Sequence, residues 1–338
     1  MDAAPPVTSD AALTLSVHGL SVSFRDGGER VAALEDVSFD LRAGEVLALV
    51  GESGSGKSLT ALAIMGLLPS AAQVDHGSVL LESRDLLSLA PREMVRIRGE
   101  RMSMIFQEPM TSLNPVLTIG RQLTEGLEFH LGLTQAGASA RAVELLRLVG
   151  IPAPERQLHE YPHQLSGGMR QRVMIAMAIA CDPQLIIADE PTTALDVSIQ
   201  AQIIDVLAEI RARLRTAILL ITHDLGVVAE MADRVAVLYS GRVVEIAEAE
   251  VLFDAPRHPY TEGLLSAVPR LDRLAAEEPP TRLVEIAGGV PSLRDRPEGC
   301  SFWPRCPLAA EQCRREVPPL ISAADGRVAA CWVRQQAP

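Results

Sequence analysis

Short apolar runs alternate with stretches of helical period through the first 250 or so residues of this 338-residue chain. Residues 45–50 (EVLALV), 102–106 (MSMIF), 184–189 (QLIIAD) and 216–222 (TAILLIT) are runs of five to seven residues with little polar interruption. Runs of this length, bounded by turn residues, predict strands buried on both faces of a sheet. Between them, residues 57–67, 166–180 and 198–214 carry apolar positions at helical spacing, and 224–231 predicts a shorter helix. Residues 13–24 alternate like a half-buried strand. Residues 31–41 predict a strand pair around a turn, and 234–238 with 242–246 a hairpin around Ser240 and Gly241. Strands alternating with helices predict an α/β domain with a mainly parallel sheet.

One stretch breaks that rhythm. Residues 118–150, interrupted near 132–134 and again at Pro152, are helical without strands, and 166–180 continue the pattern. They predict a separate helical lobe over about residues 112–180. Residues 1–12 are rich in Ala, Pro and Ser and predict a loose tail. After residue 253 prolines become frequent and four of the five cysteines occur, which places a boundary near Ala255 between a body at 13–255 and an extension at 256–338.

Hydrophobic residues make up 48% of the chain but aromatics only 3%, so aliphatic side chains and Met must fill the core. The longest unbroken apolar run, residues 173–181, falls far short of the roughly 20 residues a membrane-spanning helix needs. The first residues lack the basic start and apolar stretch of a secretory signal, so a cytoplasmic protein is expected. Net charge is −12. Nucleic-acid binders carry a basic excess or stripe, so that class of partner is not expected. Of 31 Lys and Arg residues only Lys57 is lysine. A compact ammonium and a planar guanidinium are not equivalent in a tight anion site, which draws attention to Lys57.

Residues 51–58 read GESGSGKS and fit G-x-x-x-x-G-K-[ST] between a predicted strand and a predicted helix, the context this motif requires. Gly51, Gly54 and Gly56 let the backbone curl so that N–H groups through Glu52, Ser53 and Ser55 point at phosphate oxygens. The following helix adds its unpaired N–H groups and positive dipole end. Lys57 would reach the β- and γ-phosphates of a nucleotide and Ser58 would ligate Mg2+. Residues 185–190 (LIIADE) end a strand in two carboxylates. In open α/β sheets ligands bind at that strand end, so Asp189 is a candidate for the Mg2+ shell and Glu190 for polarising the attacking water.

Residues 165–171 (LSGGMRQ) resemble the signature of ATP-binding-cassette proteins, and further elements of that family follow in order. Gln107 in IFQEP matches the Q-loop, Ala194, Leu195 and Asp196 match the D-loop, and His223 in ITHD matches the switch histidine. The resemblance covers about residues 13–255. It implies a P-loop NTPase (RecA-like) core with an antiparallel β subdomain and a helical signature subdomain. ATP is then sandwiched head to tail between two subunits, the phosphate loop of one facing Ser166, Gly167, Gly168 and Gln171 of the other. It also implies Phe24 stacking on adenine, Gln107 near Mg2+, and Leu59 contributing backbone where Thr or Val is commoner. Glu190, His223 and Gln107 become the catalytic set.

The stretches RHPYTEGLLSAVP (257–269), GGVPSL and GCSFWPRC resemble the C-terminal extension of oligopeptide and dipeptide importer ATPases. The implied partners are a second ATPase subunit, identical or related, two membrane permease subunits met near residues 107–115, and an extracytoplasmic solute-binding protein. The implied location is the cytoplasmic face of the inner membrane. Importers similar to this family also carry glutathione, nickel chelates or sugars. A nucleic-acid-linked cassette ATPase would need a coiled coil, a second cassette or a basic surface, and none is seen. Cys300, Cys306, Cys313 and Cys331 are spaced C-x5-C-x6-C-x17-C. Structural disulfides are disfavoured in a cytosolic setting, and the C-x2-C pairs common in zinc sites are absent, so the spacing leaves iron–sulfur, zinc and free thiols open. The family resemblance implies a [4Fe–4S] cluster. Cys181 reads as a small core residue.

Overall fold

The computed structural model describes residues 12–108, 112–193, 196–267, 285–323 and 326–335. The expected N-terminal tail up to residue 11, positions 109–111, and Ala194 and Leu195 of the expected D-loop lie outside these residues.

Strands β1 (Leu13–Asp26), β2 (Glu29–Arg42), β3 (Val46–Val50), β4 (Ala72–Leu81), β5 (Arg84–Asp85) and β6 (Met102–Ile105) precede the helical lobe. β7 (Leu185–Asp189), β8 (Ala217–Ile221), β9 (Arg234–Tyr239), β10 (Arg242–Glu248), β11 (Ile321–Ser322) and β12 (Val328–Ala329) follow it. They form an antiparallel sheet in the order β2-β1-β4-β5 and a mixed sheet in the order β11-β12-β10-β9-β3-β8-β7-β6. In the second sheet β9, β3, β8, β7 and β6 are parallel, and β10, β12 and β11 turn antiparallel beyond β9.

The apolar runs are explained by burial on both faces. Leu185 and Ile187 of β7 join one core with Leu219 and Ile221 of β8, while Ile186 and Ala188 join another with Ile218 and Leu220. The first core lies toward the antiparallel sheet and helix α1 (Lys57–Met65). The second is shared with helices α3 (Ile119–Leu131), α4 (Gln135–Leu148), α5 (Gly167–Ala178) and α6 (Val197–Leu214), with α2 (Pro91–Glu100) preceding β6. The break expected near 132–134 is a helix end, with Gly132 at φ 64 closing α3 and Thr134 capping α4 through its hydroxyl. Gly tolerates that left-handed turn without the Cβ clash other residues meet.

Residues 31–41 are not a strand pair. They belong to the single strand β2, which bulges where Asp36 takes φ 53. A β-bulge inserts unpaired residues and bends a strand without ending it, so the polar Glu35 and Asp36 mimic a turn in the pattern. Neither β4 nor α2 is among the elements expected from the pattern, although α2 buries Met94 and Ile97 on one face. In the extension, β12 pairs with β10 through Glu245–Ala329 and Ile246–Val328, so the body's sheet continues into it.

Candidate nucleotide site

β3 is followed directly by the phosphate loop and α1. A Cβ on Gly51 would stand 2.2 Å from the carbonyl oxygen of Leu238, and one on Gly56 (φ 108) 2.6 Å from Leu34 Cδ2. The loop therefore packs closely on β9 and β2 only because these positions lack side chains. Lys57, 6% exposed, donates from Nζ to the carbonyls of Gly51 (2.8 Å) and Glu52 (3.1 Å). Burial pushes its pKa down, opposed by the carboxylates of Glu190, Asp189 and Glu52. Ser58 Oγ donates to Asp189 Oδ1 at 3.0 Å. Burial raises the pKa of Asp189, while that hydrogen bond and the Lys57 charge pull it down.

Glu190 is the centre of a converging set. Its Oε2 accepts from Gln107 Nε2 (2.9 Å) and Thr193 Oγ1 (2.8 Å), and its Oε1 lies 3.3 Å from His223 Nδ1. Glu190 sits at φ 47, a left-handed conformation that costs a non-glycine residue on the order of 1–3 kcal/mol. Two bonds hold it there: its own N–H donates to Ile221 O (2.8 Å), and Gln171 Nε2 donates to Pro191 O (2.7 Å). Neither Thr193 nor the left-handed backbone is legible in the sequence pattern. The acidic strand end showed that something chemical sat there, but not the direction in which the side chain is aimed.

Two of the expected site residues also make contacts within the chain. Gln171 is only 2% exposed and donates its amide to the Pro191 carbonyl, so in this single chain it supports the segment after Glu190. Glu52 is not a free member of the cradle. Its N–H donates to Tyr260 Oη (2.8 Å) and its carboxylate takes the Arg305 guanidinium through two bonds of 2.9 and 3.2 Å. Both partners come from the extension, whose closeness to the loop the sequence did not reveal.

Ser166 caps α5 by accepting from Met169 N (3.3 Å). Ser166 and Gly167 are exposed, while Gly168 is buried where a Cβ would meet Ile199 Cγ2 at 2.9 Å. Asp196 is exposed at the start of α6. Lys57, Ser58, Leu59, Gln107 and Glu190 share a cavity of about 580 Å3 with Ser53, Gly54 and Phe24, within the range of small-ligand sites. The signature residues lie outside that cavity in this single chain.

Cys300, Cys306, Cys313 and Cys331 line one small pocket with Phe302, Trp303 and Trp332. All four are free thiols. Burial pushes the Cys300 thiol up to about 11 and raises that of Cys306. Among the described residues no group of three or more His, Cys, Asp or Glu side chains has metal-holding geometry, so the arrangement of these thiols does not by itself support the expected four-cysteine metal centre. The spacing thus brought the thiols together without setting their distances. Cys181 lies against the second core, its thiol raised to about 11 by burial.

A phosphate loop at the carboxyl end of a parallel sheet, with a paired carboxylate and Mg2+-competent oxygens beside it, defines a nucleoside-triphosphate site. Residues 34–193 match the ABC transporter family, and 244–313 match the oligopeptide/dipeptide transporter C-terminal region. The chain is 50% identical over 323 residues to the oligopeptide transport ATP-binding protein AppD of Bacillus subtilis, covering 95% of this chain and 97% of that one. It is 50% identical over 322 residues to OppD of Salmonella typhimurium, an oligopeptide transport ATP-binding protein, covering 95% and 94%. Among solved structures it resembles the ATP-binding cassette MJ0796, dimeric and bound to ADP and Pi, with TM-score 0.63 and 29% identity over 70% of this chain and 98% of that one. The chain belongs to the ABC transporter ATPases, in the branch of oligopeptide and dipeptide transport ATP-binding proteins. No helix among the described residues is long and apolar enough to cross a membrane.

Proposed function

We propose that this chain hydrolyses ATP to power import of dipeptides or oligopeptides through a channel supplied by other subunits. The observation that carries the reading is the Glu190 carboxylate, aimed by Gln107, Thr193 and His223 above a phosphate loop. Lys57 binds the β- and γ-phosphates, exchanging its carbonyl partners for phosphate oxygens. Ser58 and Asp189, with Gln107 beside them, are the oxygen donors that fit Mg2+, which when bound neutralises charge on the phosphates. Glu190 orients the attacking water and draws its proton, and His223, 3.3 Å from Glu190, holds the γ-phosphate and water in line with it. Catalysis here is mainly positioning and charge stabilisation.

The exposed Ser166 and Gly167 at the start of α5, with Asp196, supply the facing half of a second subunit's site, so two ATPase subunits assemble head to tail. Two permease subunits and an extracytoplasmic solute-binding protein complete the importer, with this chain on the cytoplasmic face of the membrane. Residues 13–255 act as the nucleotide-binding body and 256–338 as the extension. Reconstitution of such an assembly in proteoliposomes tests the reading. Peptide should stimulate both ATP hydrolysis and uptake, and Lys57→Ala should abolish both. Uptake that survives Lys57→Ala, or hydrolysis stimulated by nucleic acid and not by peptide, would refute it.

The extension's four thiols share one aromatic-walled pocket, and an all-sulfur donor set suits a [4Fe–4S] cluster, with Zn2+ the alternative. Cys300, Cys306, Cys313 and Cys331 would hold either group as thiolates. A cluster bound there would tie the loops of the extension together. Iron, sulfide and zinc analysis of anaerobically purified protein decides between the two, and finding none of them would leave the cysteines as free thiols.

A further inference from the structure

The nucleotide cavity has a wall that does not come from the cassette body. Besides Phe24 and the phosphate loop, it is lined by Val290, Pro291, Ser292 and Leu293 of the extension. The lining is of two chemical kinds. Lys57, Ser58, Gln107 and Glu190 are polar and charged. Phe24, Val290, Pro291 and Leu293 are apolar, and these three extension residues are half-buried. A triphosphate is drawn to the first set, and a flat purine ring with an apolar face to the second.

The wall is fixed in place at both sides. Arg296, whose side chain is 7% exposed, pairs with Glu35, donates from Nε to Ser240 Oγ (3.2 Å) and from Nη2 to the carbonyl of Ala33 (3.4 Å). Arg294 reaches Asp26 of the β1–β2 hairpin at 2.5 Å. On the other side Arg305, 5% exposed, donates to the carbonyls of Ala287 (2.9 Å) and Ile286 (3.2 Å) while gripping Glu52 of the phosphate loop. One guanidinium thus bonds both the stretch leading into the wall and the loop that holds phosphate. An exposed ion pair such as Arg294–Asp26 contributes little. Arg296 and Arg305 are nearly buried, and buried charge pairs that also satisfy backbone carbonyls are geometrically specific.

We propose that residues 290–293 are the base-binding wall of the ATP site, the purine packing between Phe24 and the Pro291–Leu293 surface. This rests on the reading that residues 51–58 hold the triphosphate. The extension then contributes to nucleotide affinity directly, as a part of the same chain's site.

Equilibrium binding of ATP and of inorganic tripolyphosphate to the full-length chain, parent and variants, tests this. Replacing Leu293 by Ser removes one apolar side chain from the base contact and should weaken ATP roughly tenfold, leaving tripolyphosphate within twofold. Leu293→Ala should give a smaller loss in the same direction, and thermal melts verify that each variant is folded. Unchanged ATP affinity in both variants overturns the proposal. Equal weakening of ATP and tripolyphosphate also overturns it, since the segment would then act on the phosphate loop and not on the base. Lys57→Ala separates the two layers: it should weaken both ligands, and if it weakens neither, the triphosphate reading itself has failed.

Discussion

Replacing Glu190 by Gln is the sharpest perturbation of the site, because it removes a charge while leaving nearly every contact possible. In the parent, Oε2 accepts two hydrogen bonds, from Gln107 and Thr193, and Oε1 faces His223 Nδ1 at 3.3 Å. A glutamine amide placed with its oxygen at the Oε2 position keeps both donors. Its NH2 then points at His223, whose neutral ring can accept. Local packing is retained, so stability should move little. Nucleotide binding should persist, since Lys57 and the loop are untouched and one negative charge near the phosphates is gone. What disappears is the base. A positioned general base contributes about 10²–10⁴-fold, equivalent to roughly 3–5 kcal/mol at 1.36 kcal/mol per decade. Phosphate release under saturating ATP, measured beside ATP affinity and a thermal melt, isolates that effect. Turnover within threefold of the parent would sink the assignment. A lowered melting temperature with unchanged turnover would show that Glu190 is structural.

Two further outcomes follow from groups that the catalytic step does not touch. Gln171→Ala leaves the carbonyl of Pro191 buried without its donor, which should cost about 1–3 kcal/mol in a denaturant melt and lower turnover by loosening the segment after Glu190; no loss of stability would contradict the support role. His258 is buried and its pKa is depressed from 6.5 to about 3 by desolvation, so the folded state binds fewer protons than the unfolded chain between those values. Its stabilising contribution is present above pH 6.5 and is lost as pH falls toward 3, by up to about 1.4 kcal/mol per pH unit. His258→Gln should flatten that part of the stability-versus-pH curve, and an unaltered slope would refute the assignment.

The legible parts of the chain were those where local pattern and global fold coincide. β7 and β8 read as buried strands because both of their faces meet a core. The phosphate loop read as a loop because a Gly-rich turn between strand and helix has few other uses. The roles proposed for Ser58, Asp189 and Glu190 follow from residue type and strand position, and that of His223 from the family resemblance. The bulged strand β2 misled because polar residues at a bulge imitate a turn.

Sequence alone therefore determined the class of sheet, the phosphate loop, the acidic strand end and the clustering of four cysteines. Tertiary structure decided which groups distant in the chain meet: Arg305 on Glu52, 253 positions apart, Gln171 on Pro191, 20 apart, and residues 290–293 beside Phe24. Hydrophobic period and glycine placement are local properties, set by steric and burial rules acting over a few residues. Long-range pairs between single charged or polar side chains leave no period behind, and only the packed chain brings their partners within bonding distance.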